Sequence, residues 1–184
     1  MVRGLTVAAS AVAVLALGAG TGLAQSASAP AVRAAFVFNF AKFTEWPNDA
    51  VRPADPLALC VVDDDAVASA LEELVKGRSL GTRPLTVRPQ RAGDPLRTCA
   101  LVYAAQLDER RATELLAPLG HLPILTIGDH ASFTQVGGIA RLFFENGKTR
   151  FAVNVDAAQR RRLQLSSKLL MLGTIVKDAP GQSQ

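Results

Sequence analysis

Histidine is scarce in this chain. His121 and His130 are the only two, and both fall in segments that read as loops beside strands. A zinc site needs further ligands at short spacing, and the sequence does not offer them. Glycine fingerprints for nucleotides are missing as well. No G-x-G-x-x-G occurs, which excludes the usual dinucleotide turn. Gly147-Lys148-Thr149 looks like the end of a phosphate loop, but position 142 is Leu142 where that loop needs glycine. No G-x-S-x-G elbow presents a serine nucleophile, so Ser132 and Ser166 have no recognisable base, and Ser166-Ser167-Lys168 reads as a helix start. Asp63-Asp64-Asp65 lacks the spaced oxygens and central glycine of a calcium loop and reads as a helix cap. No repeat, low-complexity tract or linker divides the chain. With catalytic residues, metal ligands and cofactor motifs all missing, a binding module is favoured over an enzyme, and no metal or cofactor is expected.

Apolar runs long enough to span a bilayer are also lacking beyond the N-terminus. Leu5 to Gly18 is an apolar run of about 14 residues, shorter than the ~20 a spanning helix needs. With Arg3 before it and small residues after it, residues 1–24 read as a secretory signal peptide. Cleavage before Gln25 is preferred to cleavage after Ala29, because Pro30 would follow that cut. An uncleaved anchor is the alternative; a lipid anchor is excluded, as no cysteine lies nearby. The mature chain, 25–184, suits one domain with a real core. Removing Arg3 lowers the formal net charge from +4 to +3. In an exported protein that mild basicity suits solubility or an anionic surface better than nucleic acid.

Aromatic residues are few, and they are concentrated. Half of the eight phenylalanines (Phe36, Phe38, Phe40 and Phe43) and the only tryptophan, Trp46, lie in the block Ala34–Pro47. Phe36, Phe40 and Phe43 recur at i, i+4 and i+7, which predicts a helix docked by an aromatic stripe and ended by Pro47. Strands are predicted at 57–62, 85–88, 99–103 and 124–127, with helices at 66–76 and 109–116. Asn146-Gly147 between two apolar runs predicts a hairpin of 139–144 with 150–155. Asp156 is expected to cap a helix over 157–176, with Arg160-Arg161-Arg162 as one exposed turn; an acidic partner or lipid headgroups are the functional alternative for that turn. Gly137-Gly138 reads as a hinge that leaves Phe133 open to a partner or ligand. Strands alternating with helices, then a hairpin, give an α/β class: a single-domain sandwich with a mixed β-sheet flanked by helices.

Only two cysteines occur, Cys60 and Cys99, each in an apolar strand-like run. Export would place them in an oxidising compartment. If the two strands lie side by side a disulfide is reasonable; the alternative is two buried thiols acting as small hydrophobes.

Three blocks together resemble the YfiR family. The first is the Ala34–Pro47 string. The second is Leu125-Thr126-Ile127-Gly128-Asp129 with Phe133 and Gly137-Gly138-Ile139-Ala140. The third is Phe151-Ala152-Val153-Asn154-Val155 with Leu165-Ser166-Ser167-Lys168-Leu169-Leu170-Met171-Leu172. Cys60 and Cys99 also fall where that family has its paired strand cysteines. The resemblance implies a periplasmic repressor that binds the periplasmic sensing domain of an inner-membrane diguanylate cyclase, lowering cyclic-di-GMP and biofilm formation. It implies an outer-membrane, peptidoglycan-associated partner, a homodimer, and redox control resting on Cys60 and Cys99 alone, since some relatives have four cysteines. The aromatic helix, the Gly137–Phe144 region and the C-terminal helix are the candidate contact surfaces, represented by Phe133, Ile139, Phe143, Phe144 and Leu169. A small-ligand sensor working with a membrane histidine kinase or another receptor is the alternative, and it would need a pocket between the sheet and the Phe133 loop.

Overall fold

The computed structural model describes residues 29–49 and 55–178; the signal-peptide reading lies outside them. The chain runs α1 (Ala29–Lys42), β1 (Thr44–Glu45), β2 (Leu57–Val62), α2 (Asp65–Val75), β3 (Ser79–Leu80), β4 (Arg83–Gln90), β5 (Leu101–Ala104) and α3 (Glu109–Leu116). After a single 3-10 turn, Ala117–Leu119, come β6 (Leu125–Gly128), β7 (Ala140–Glu145), β8 (Lys148–Asn154), α4 (Val155–Arg160), β9 (Gln164–Leu165), α5 (Ser167–Leu170) and β10 (Thr174–Val176).

Eight strands form one mixed sheet in the order β10-β8-β7-β6-β5-β2-β4-β3. The five from β4 through β2, β5 and β6 to β7 are parallel; β8 and β3 join antiparallel, and β10 pairs parallel to β8. Side chains alternate across a strand, so each central strand feeds two cores. Leu57, Leu59 and Val61 of β2 join Leu101, Tyr103, Leu125 and Ile127 under α1 and α2. Cys60 and Val62 join Val102, Ala104, Leu116 and Leu119 under α3. Both faces are covered, as parallel strands require, and the expected α/β sandwich is what forms. No helix among the described residues is long and apolar enough to cross a membrane.

The aromatic helix forms, but its face and its end differ from expectation. Its fully buried stripe is Ala34, Val37, Phe40 and Ala41, while Phe36, Phe38 and Phe43 are only partly buried. Phe36 and Phe40 meet the Phe151 ring of β8 edge-on, at centroid distances of 6.0 and 5.1 Å. The helix ends at Lys42, ahead of Pro47: Thr44 turns its hydroxyl back to the Phe40 carbonyl at 2.7 Å, and β1 pairs with β9. Trp46 then donates from Nε1 to the Ala100 carbonyl at 3.1 Å, which fixes the chain to the start of β5.

The predicted helix over 157–176 does not form. Asn154, not Asp156, is the N-cap, accepting from the Ala157 N–H at 2.9 Å. The helix stops at Arg160, Arg162 is left-handed (φ 58°), and three short elements replace the rest. Pairing competes with helix continuation here: Leu165 lies opposite Thr44, and β10 lies along β8. Gly173 permits that approach, since a Cβ there would stand 2.2 Å from the Phe151 ring.

Candidate interaction surface

The described residues gather no group of three or more histidine, cysteine, aspartate or glutamate side chains able to hold a metal. Asp64 caps α2 through the Val67 N–H at 3.0 Å. Asp65 pairs bidentately with Arg91 at 2.9 Å, and that guanidinium holds the carboxyl below the usual carboxylate range. Ser166 caps α5. His130 Nδ1 lies 2.9 Å from the Ser132 hydroxyl, but the same nitrogen accepts the Ser132 N–H at 3.3 Å and the turn closes with Phe133 N–H on the His130 carbonyl. The pair is a turn lock between near neighbours, not a base set beside a nucleophile. Gly147-Lys148-Thr149 is the hairpin turn and the start of β8, with Asn146 and Gly147 both at positive φ (50° and 75°), as a two-residue turn demands.

Cys60 and Cys99 form a disulfide, with Cα atoms 5.9 Å apart. Cys60 is in β2, and Cys99 sits just before β5, the neighbouring strand.

The five expected partner-contact residues do not share a surface. Phe133 is 1% exposed and lies wedged between Gly128 and Gly138, where added Cβ atoms would come within 2.5 and 2.3 Å of its ring. The glycines therefore admit the ring rather than loosen it, and the expected pocket beneath the Phe133 loop is filled by Phe133 itself. Ile139 and Leu169 are also core residues. Phe143 and Phe144 point to opposite faces of β7. Arg141 stacks on Phe143, its guanidinium 4.8 Å from the ring centre, and Phe144 stands in solvent.

The arginine run is divided likewise. Arg161 is 5% exposed, not a solvated residue. It donates to the Gly120 and Gly137 carbonyls, each at 3.1 Å, and to Thr126 Oγ1 at 3.2 Å. Burial, with Arg160 beside it, lowers its pKa to about 10. Arg162 faces out and pairs bidentately with Asp49 at 2.8 and 2.9 Å. Arg160 pairs with Asp178.

An apolar surface does exist, and of the expected residues only Phe144 belongs to it. Among the described residues the large apolar side chains left exposed are Phe144 (75%), Met171 (78%), Leu172 (76%) and Ile175 (44%). All four lie toward one end of the strand order: Phe144 on β7, Ile175 on β10, and Met171 and Leu172 just before β10. Ile175 is opposite Val153, which is opposite Ala140, and Phe144 is opposite Thr149, so Ile175 and Phe144 share the α1 face of the sheet. Met171 and Leu172 lead into β10, the outermost strand, whose outer edge has no strand partner among the described residues. The strand is held firmly from behind. Asn154 Nδ2 donates to Asp178 Oδ1 at 2.8 Å, Asp178 N–H donates to Asp156 at 3.0 Å, and Arg160 holds the Asp178 carboxyl below its usual pKa. Asp178 thus fixes the chain just after β10. Sequence reasoning missed Met171, Leu172 and Ile175 because the strand was read as helix.

Comparison with curated proteins gives no match. A family model does match, over residues 30–174, from the aromatic helix to the first residue of β10. The chain belongs to the YfiR/HmsC-like family, whose members are periplasmic regulators of cyclic-di-GMP signalling.

Proposed function

We propose that this protein is a periplasmic repressor that binds the periplasmic sensing domain of an inner-membrane diguanylate cyclase and holds it inactive, lowering cyclic-di-GMP and biofilm formation. The supporting observation is the apolar margin of Phe144, Met171, Leu172 and Ile175 beside the outer edge of β10, in a chain whose family regulates this signalling. Exposed apolar side chains next to an outer strand edge suit protein recognition, through burial plus strand addition. Repression requires tighter binding to the inactive cyclase than to the active one. The same margin is where a homodimer would form, and where an outer-membrane, peptidoglycan-associated protein would compete for the repressor.

The test is a pulldown from detergent-solubilised membranes with the oxidised protein and with a Leu172→Asp, Ile175→Lys variant. The wild-type protein should retain a membrane diguanylate cyclase, and the variant should lose it while keeping its melting temperature. Deleting the gene should raise cyclic-di-GMP. An unchanged level in a deletion strain that contains the cyclase refutes repression.

A further inference from the structure

The parallel strands set up a second place for binding, independent of the apolar margin. From β2 the chain passes to β4 on one side, and β5 lies on the other, so the order reverses between β2 and β5. Open α/β sheets bind ligands in the crevice beyond the carboxyl ends of strands at such a reversal. A cleft of about 610 Å³ lies there, between α3 and the segment 91–97 that follows β4. Its size is within the range of small-molecule sites.

The cleft has an apolar floor and a charged rim. Val62, Leu96, Leu107 and Leu119 form the floor and belong to the same buried cluster as the disulfide. The acidic side chains at the rim are already used. Asp63 and Asp94 accept the Ala92 and Arg91 backbone N–H groups at 3.2 and 2.7 Å, and Glu114 pairs with Arg110 at 2.7 Å. Arg91 is held by Asp65. Arg97 and Arg111 line the cleft, and neither guanidinium has an ion pair or hydrogen bond among the described residues; Arg111 bonds only through its backbone N–H, to the Asp108 cap. Unspent charge at this rim is therefore positive. Cys99, two residues beyond Arg97, is tied to β2 by the disulfide, so the outer wall is anchored at both ends before any ligand arrives; a preformed wall reduces the ordering cost of binding.

We propose that this cleft binds a small amphipathic carboxylate, its apolar body on Val62, Leu96, Leu107 and Leu119 and its carboxylate between Arg97 and Arg111. Arginine suits that role, because its planar fork meets a carboxylate with two parallel donors.

Octanoate is the probe, read by displacement of anilinonaphthalene sulfonate, an apolar fluorophore with one anionic group. On the purified oxidised protein octanoate should displace it saturably, and octanol, of equal chain length without the charge, should do so at least tenfold more weakly. Arg97→Gln with Arg111→Gln should bring octanoate down to the level of octanol at an unchanged melting temperature, since both side chains are at the surface. Leu115→Trp, which fills the α3 side of the cleft, should remove displacement by both. Leu172→Asp with Ile175→Lys should leave it intact, separating the cleft from the apolar margin. Equal potency of octanoate and octanol, or octanoate displacement unaffected by the paired arginine substitutions, would overturn the proposal.

Discussion

Opening the Cys60–Cys99 bridge should remove about 4 kcal/mol of stability. The bridge spans a sequence separation of 39. Fixing the two ends of a loop of that length costs the unfolded chain roughly 13 cal/mol/K in the chain-entropy expression, or about 4 kcal/mol at 25 °C. Reduced cysteines would stay in the same buried cluster as Val62 and Leu116, so little packing is lost with the bond. Against a typical domain stability of about 5–15 kcal/mol, that is a large share. Urea unfolding of the oxidised protein, the reduced protein and a Cys60→Ala, Cys99→Ala variant measures it. With a urea slope of about 2 kcal/mol/M, the midpoint should fall by about 2 M, and the slope itself should rise as the freed chain unfolds to a more expanded ensemble. A loss below about 1 kcal/mol in both reduced protein and double variant would refute the reasoning, since it would mean that the bridge does not restrict the unfolded chain.

Phe133→Ala should cost about 3–5 kcal/mol, because a fully buried ring is removed from a close-packed site; chemical denaturation measures it, and a loss below about 1 kcal/mol would show that the ring is not packed as described. Gly138→Ala should lower the melting temperature through overpacking against the same ring. Arg161→Ala should cost about 1–3 kcal/mol, since it removes a buried side chain that donates to the buried Thr126 hydroxyl and to two part-buried carbonyls, whereas Arg162→Ala, at the exposed pair with Asp49, should leave the melting midpoint nearly unchanged. Arg160 lowers the pKa of Asp178 from 3.8. A carboxyl depressed by folding contributes stability above its unfolded pKa and loses it as pH falls through the lower folded value. Hydrogen exchange at 174–178 should therefore accelerate below about pH 4 relative to β5, and a ratio of exchange between the two strands that stays constant from pH 6 to pH 3 would rule the anchor out.

Strands buried on both faces were the most legible part of this sequence, because nothing else competes for an unbroken apolar run between turn signals. Leu57–Val62 forms as expected, and Glu109–Leu116 has the expected bounds under its Asp108 cap. The hairpin was equally plain from Asn146-Gly147. The stretch 161–176 was not. Leu163, Leu165, Leu169 and Leu172 fit a helical face when read locally, and no proline interrupts them. What breaks the helix lies far away in sequence: Thr44 opposite Leu165, and Gly120 and Gly137, whose carbonyls draw Arg161 inward. Three consecutive arginines look alike in a sequence, and only the acceptors around them separate the buried Arg161 from the half-buried Arg160 and the exposed Arg162.

That misreading also explains why the candidate surface was only partly visible. Read as helix, the segment makes Leu169 a contact residue; read as two short elements around Met171, it sends Leu169 to the core and leaves Met171 and Leu172 in solvent. Phe144 was legible because its place near a hairpin turn is a local property. Exposure of Ile175 depends on β10 being the last strand of the sheet, which no local pattern announces. A strand of three residues contributes little to a sheet and leaves an edge that solvent protects poorly. Here it is nonetheless pinned by Asn154, Asp156 and Arg160 through the single residue Asp178. Such anchoring fixes Ile175 and the end of β10, so under the proposed function less ordering entropy would remain to oppose binding there.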